Sequence, residues 1–332
     1  MDQRLQNRCN LQIENEQIVR KAGILQYEEL AKLGALFYTA EGRTADSEKI
    51  KQSRDILKQK TGIFSNFRGN LEFAIRVRMS LEEDPEAYID RIIAIYNKLK
   101  EGRILPGEIL TMTAMTIYEQ CKDQNVDQVI TETREAYARI KQTHKFLTDE
   151  ADMSFVALMV MSGKDVEKTI DEVETIYLTL KEKYRLHPNA VQAAALVLAM
   201  SNKATEQKVT DFVELFENLR AKKHGTTKGK AMSIYAAFAD LDIPRDIILQ
   251  EISEVDDWLK KQKGYGMLSV NTDVKRVLAA TLVLQHHEAD SLAGVNTGAS
   301  TVISQVIAEE VIMMIIMIIV LSTSVNATLN NI

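Results

Sequence analysis

The sequence predicts an all-α fold, an α-α solenoid of about six stacked helical hairpins with a period of about 40 residues and a C-terminal apolar helix. Three observations predict it. A short motif recurs as Ile95-Tyr96-Asn97-Lys98-Leu99-Lys100, Ala136-Tyr137-Ala138-Arg139-Ile140-Lys141, Ile176-Tyr177-Leu178-Thr179-Leu180-Lys181, Leu215-Phe216-Glu217-Asn218-Leu219-Arg220 and Val255-Asp256-Asp257-Trp258-Leu259-Lys260. Its second position steps by 41, 40, 39 and 40 residues, the regularity of stacked structural units. Each copy closes an amphipathic segment. In Val166–Lys181 the apolar residues Val166, Ile170, Val173, Tyr177 and Leu180 draw one stripe down a helix of 3.6 residues per turn. Each amphipathic segment also follows a short, almost wholly apolar one, which marks the inner member of a hairpin.

The elements follow in order. Residues 1–70 hold amino-terminal helices with a divergent capping repeat. A weak stripe passes through Leu25, Leu30 and Leu33, and Ala35 to Lys58 reads as a worn copy in which Ser53 and Arg54 replace the Ile-Tyr pair. Terminal units are atypical because one face has no neighbour to cover it. Residues 71–290 form the hairpin array. Its inner segments are Phe73 to Met79, Leu110 to Tyr118, Phe155 to Met161, Ala193 to Met200, Ile234 to Phe238 and Val277 to Leu284. All four prolines, Pro85, Pro106, Pro188 and Pro244, fall at helix junctions, where a missing N–H costs least. Ser80-Leu81-Glu82-Glu83 has capping-box spacing, and Asp84 before Pro85 is a second N-cap candidate. Lys263-Gly264-Tyr265-Gly266 lacks phosphate-loop spacing and reads as a helix C-cap and turn.

Residues 291–332 hold a polar link and a hydrophobic helix. The run Val311–Leu321 is eleven apolar residues long, whereas a spanning helix needs about 20. Glu309 and Glu310 block its extension on one side, each costing about 2.5 kcal/mol or more at a bilayer centre. The run therefore reads as a helix buried in the last groove of the solenoid.

Charge separates by link. Links inside hairpins carry acids such as Glu82, Glu83, Asp84, Asp165, Asp240 and Asp242. Links between hairpins are basic, with Lys183 and Arg185, Lys222 and Lys223, and Lys261 and Lys263 as candidates for a binding rim. Acids near helix N-termini and bases near C-termini also complement the helix dipole, which alone accounts for such a pattern.

Chemistry is sparse. Cys9 and Cys121 are isolated thiols without metal-ligand spacing, as expected of a reducing cytoplasm. The start, Met1-Asp2-Gln3-Arg4-Leu5-Gln6, has no signal-peptide core. A net charge of −6 argues against a dedicated nucleic-acid binder. His286, His287, Glu309 and Glu310 could hold a metal between helices. Adjacent histidines nevertheless point about 100° apart on a helix, and the Glu-x-x-His spacing of helical metal sites is missing. Asp256 stands where other copies carry Tyr or Phe. A slipped local register, with Ile248, Ile252, Val255 and Leu259 forming the stripe, would spare it burial as an unpaired charge.

The stretches Ile104-Leu105-Pro106 through Tyr118, Ala157 through Val166, Ile234 through Asp240, Val255 through Gly266 and Ile307-Ala308-Glu309-Glu310-Val311 resemble an uncharacterised Gram-positive bacterial family. That family is catalogued as a domain of unknown function, number four thousand and three. The resemblance covers about residues 70–320; it implies a bacterial, cytoplasmic protein and transfers no catalytic residues.

The sequence is therefore read as a non-catalytic scaffold for an unknown protein or peptide partner, with no cofactor and no nucleic acid. Two alternatives stay open. One is a membrane-associated form tethered by Val311–Leu321, and the other is a metal-dependent enzyme built near His286, His287, Glu309 and Glu310.

Overall fold

A computed structural model of the chain describes residues 1–22, 28–63, 65–69, 71–101, 107–121, 125–143, 152–226, 231–266 and 269–293. Among them there are helices and no strand. In chain order these are α1 (Gln3–Lys21), α2 (Glu28–Ala40), α3 (Ser47–Lys60), α4 (Glu72–Leu81), α5 (Pro85–Lys100), α6 (Glu108–Gln120), α7 (Val126–Thr143) and α8 (Asp152–Met161). They continue as α9 (Val166–Lys183), α10 (Pro188–Met200), α11 (Thr205–Ala221), α12 (Met232–Ala236), α13 (Arg245–Lys260) and α14 (Thr272–Ala293). A 3-10 turn, Ala237–Asp240, extends α12. The apolar run Val311–Leu321, with Glu309 and Glu310, lies outside the described residues. No described helix is long and apolar enough to cross a membrane.

Two compact units divide the chain. One comprises Asn15–Tyr38 and Thr44–Val166, with most of α2 and all of α3 to α8. Within it α5 packs on α3, α4, α6 and α7, and α8 packs on α6 and α7. The short helices are buried on every side, as their composition predicts: Phe73 to Leu81 in α4 and Leu110 to Ile117 in α6. Helix α5 buries a single stripe, Tyr88, Ile89, Ile92, Ile95, Tyr96 and Leu99. Asp84 caps α5 by accepting the Ala87 N–H at 2.9 Å, and Pro85 follows at the first helical position. Ser80 does not act as a cap. It lies inside α4, where its hydroxyl donates to the Val77 carbonyl at 2.6 Å and meets the Tyr38 hydroxyl at 2.5 Å. The capping-box spacing there is coincidental, because a buried hydroxyl takes the nearest free carbonyl of the preceding turn.

Burial of Arg76 and Arg78 in this unit is not apparent from the sequence. Arg78 Nε donates to Glu119 Oε1 at 3.0 Å, and the Tyr88 hydroxyl donates to the same oxygen. Burial first, with the Glu119 charge second, pushes the Tyr88 phenol well above its ordinary range. One carboxylate thus satisfies two buried donors, the condition under which polar groups are tolerated inside a core.

The second unit comprises Met1–Glu14, Thr39–Arg43 and the described residues from Glu167 onward. Helix α10 packs on α11 and α12, α11 on α12 and α13, and α14 on α12 and α13. Burial in α9 falls on Ile170, Val173, Tyr177 and Leu180 of the expected stripe and also on Thr169 and Ile176, whereas Val166 is half-buried. The aromatic row is packing: Phe216 meets Phe212, Tyr184 and Tyr235 with ring centroids 5.6, 5.7 and 5.4 Å away.

Acidic side chains five residues before Tyr177, Phe216 and Asp256 join helices of this unit. Glu172 on α9 takes Lys208 of α11 at 2.7 Å, Asp211 on α11 takes Arg245 of α13, and Glu251 on α13 takes His287 of α14 at 2.5 Å. The start of α1 belongs to this unit as well, with the Met1 ammonium on Glu254 of α13 and Asp2 3.5 Å from His286 of α14.

Candidate functional site

The six rim residues named from the sequence are found at the C-terminal ends of three amphipathic helices of one unit. Lys183 is the last residue of α9 and Arg185 follows it. Lys222 and Lys223 follow α11, and Lys261 and Lys263 follow α13. All six are exposed, and none makes an ion pair among the described residues. Lys183 places its ammonium 5.9 Å from the Tyr184 ring centroid. Leu186, next to Arg185 in the chain, has 88% of its surface in water.

The link after α11 is held in a fixed shape. The His224 and Gly225 N–H groups both donate to the Leu219 carbonyl, at 2.8 and 2.9 Å, which ends the helix in the manner of a left-handed C-cap. Lys223 carries the left-handed conformation, φ 64°, and its carbonyl accepts a hydrogen bond from Arg276 of α14. Gly225 is obligatory, since a Cβ there would sit 2.9 Å from the Arg220 backbone nitrogen. Lys222 and Lys223 are therefore presented on a braced turn.

His224 anchors the same link to a buried carboxylate. Its Nδ1 lies 2.7 Å from Asp256 Oδ2, and Asp256 is fully buried. Lys260 and Lys275 reach the same carboxylate at 3.1 and 3.3 Å. Burial lowers the Lys275 ammonium, while the Asp256 charge works against that shift. The slipped register expected around Asp256 is not what forms. Ile248, Ile252, Val255 and Leu259 are buried as foreseen, yet Asp256 is buried with them. A second relation fixes the register. Lys100 lies 5.8 Å from the Tyr96 ring, Lys181 5.3 Å from Tyr177 and Arg220 5.5 Å from Phe216, each cation four residues after its ring. Lys260 stands four residues after Asp256 and makes an ion pair with it. A carboxylate thus occupies the ring position, and two lysines with the His224 imidazole make its burial tolerable.

His224, Asp256 and Asp257 bring one ligand atom each within 4.8 Å of one another, the spacing of a metal site. The donor set does not fit a cation: Lys260 and Lys275 already supply positive charge to the Asp256 oxygens, and Lys260 also holds Asp257 at 2.7 Å. His286 and His287 face different carboxylates, Asp2 and Glu251, as the angular separation of neighbouring helical residues requires. Glu309 and Glu310 lie outside the described residues.

Fold and geometry together define an all-helical protein whose charged groups are organised at helix-end links. The chain belongs to the family described as Protein of unknown function (DUF4003), whose model matches residues 17–312. Neither a curated protein nor a solved structure matches it.

Proposed function

We propose that the protein is a helical-hairpin solenoid that binds an acidic segment of a partner protein along the basic links after α9, α11 and α13. The observation that carries this reading is that Lys183, Arg185, Lys222, Lys223, Lys261 and Lys263 are exposed and make no ion pair among the described residues, Lys261 acting on Asp257 only at longer range. Cations elsewhere in the same unit, Lys208, Arg245, Lys260 and Lys275, are matched to carboxylates. Dipole compensation acts within the last helical turn, and all but Lys183 lie beyond the last helical residue. Exposed, uncompensated charge around a projecting leucine suits a partner segment that alternates acids with apolar residues. The partner and a cytoplasmic setting belong to this proposal.

The test compares wild-type protein with K183Q/R185Q/K222Q/K223Q as baits in extract of the source cell, with bound proteins identified by mass spectrometry. A partner whose contact segment is acidic, retained by wild type and lost by the variant, supports the reading. Equal recovery on both baits refutes it.

A further inference from the structure

The unit containing α3 and α5 has a polar cavity of about 320 Å³, at the lower end of the volumes that hold small molecules. Its walls are the end of α3 (Lys60), the turns that follow (Thr61, Ser65, Asn66, Phe67) and the last turns of α5 (Ile93, Tyr96, Asn97, Lys100). Among the described residues no carboxylate lines it.

The donors divide into committed and free. Lys60 is already paired with Asp90 at 2.7 Å and Glu86 at 3.6 Å, and the Thr61 hydroxyl donates to the Leu57 carbonyl. Lys100 has no carboxylate partner among the described residues; its ammonium lies 5.8 Å from the Tyr96 ring. Asn97 is exposed and makes no hydrogen bond among them. The Tyr96 hydroxyl accepts from Asn66 Nδ2 at 2.7 Å, so its own proton is left to donate. Phe67 packs edge-on against Tyr96 with centroids 5.0 Å apart and fixes that ring. Three donors of different kinds, one of them charged, therefore border one cavity on a rigid aromatic floor.

We infer that this cavity binds a small polar organic anion, its oxyanion taken by Lys100, Asn97 and the Tyr96 hydroxyl and its hydroxylated body by Asn66 and Ser65. A charged donor makes the stronger hydrogen bonds to a phosphoryl or carboxylate oxygen. An amide and a hydroxyl satisfy oxygens that a lone lysine would leave hydrated. The shared chemistry is an oxyanion on a hydroxylated skeleton, a phosphate ester or a hydroxy acid. This site is independent of the basic links, which belong to the other unit, so neutralising those links leaves it unchanged.

Isothermal titration calorimetry on the full chain at low salt tests it, with glucose 6-phosphate, gluconate and uncharged glucose as probes. Binding of either anion with glucose silent is expected. The tighter of the two identifies the phosphoryl or the carboxylate as the preferred group. K100A, a change at an exposed side chain that leaves the melting temperature unaltered, weakens binding about tenfold, equivalent to about 1.4 kcal/mol. Y96F keeps the ring and weakens binding severalfold. The inference is overturned if neither anion binds up to about 10 mM, beyond the weak millimolar range, or if K100A binds as tightly as wild type.

Discussion

Replacing Asp256 with alanine removes the one carboxylate that His224, Lys260 and Lys275 share. Lys275 is the partner that suffers most, because its side chain is 8% exposed and burial already disfavours its charge. Leaving such a cation unpaired costs about 3–5 kcal/mol. K275M is milder, about 1–3 kcal/mol, since Asp256 retains two partners while losing one ion pair. The double variant D256A/K275M removes both charges together and should be less destabilised than the sum of the two, with a coupling of about 1–3 kcal/mol. Urea unfolding at neutral pH, followed by circular dichroism, reads all three against wild type. A loss below about 1 kcal/mol for D256A, the range of an exposed pair, refutes the buried network. Additivity of the two single changes refutes it as well.

Acid should destabilise the fold through three carboxyls held below their ordinary range. The Lys260 hydrogen bond lowers Asp257, the amino-terminal ammonium lowers Glu254, and the Leu5 N–H lowers Asp2. Carboxyls depressed in the folded state contribute stability that is complete above their unfolded values, 3.8 for Asp and 4.5 for Glu, and is lost as pH falls through the folded values. The urea midpoint should hold steady from about pH 7 to 5 and then fall, with D257N reducing the fall; a decline that sets in above about pH 6 contradicts this assignment. G225A should cost about 1–3 kcal/mol by forcing apart the turn after α11, and an unchanged melting temperature would show that the turn can yield.

Helix type and the buried stripes were legible because they depend on local spacing, as in α9, where Ile170, Val173, Tyr177 and Leu180 are buried as read. The exposure of the rim residues was legible for the same reason, since basic groups at helix ends stay in water. The burial of Asp256 was not. Two of its partners, His224 and Lys275, are 32 and 19 residues away, and no local pattern announces that an imidazole and two lysines will meet there. A signal was nevertheless present, for Lys260 repeats the four-residue offset of Lys100, Lys181 and Arg220 from the row position, which a slipped register would have broken. Ser80 misled in the opposite direction, because a capping box is defined by spacing whereas the hydroxyl answers to burial. The cavity beside Tyr96 was hidden because its walls come from two helices and a link.

The pairs Glu172–Lys208 and Asp211–Arg245 have one polarity, acid on the earlier helix and base on the later. Each joint is thus directional, like a plug and socket of fixed sex, and it joins head to tail while opposing head-to-head contact. Deletion of residues 173–211 would put Glu172 in the sequence position of Asp211 ahead of Arg245, again acid against base. Exchanging the charges of Lys208 and Asp211 would set like charges against each other at both joints.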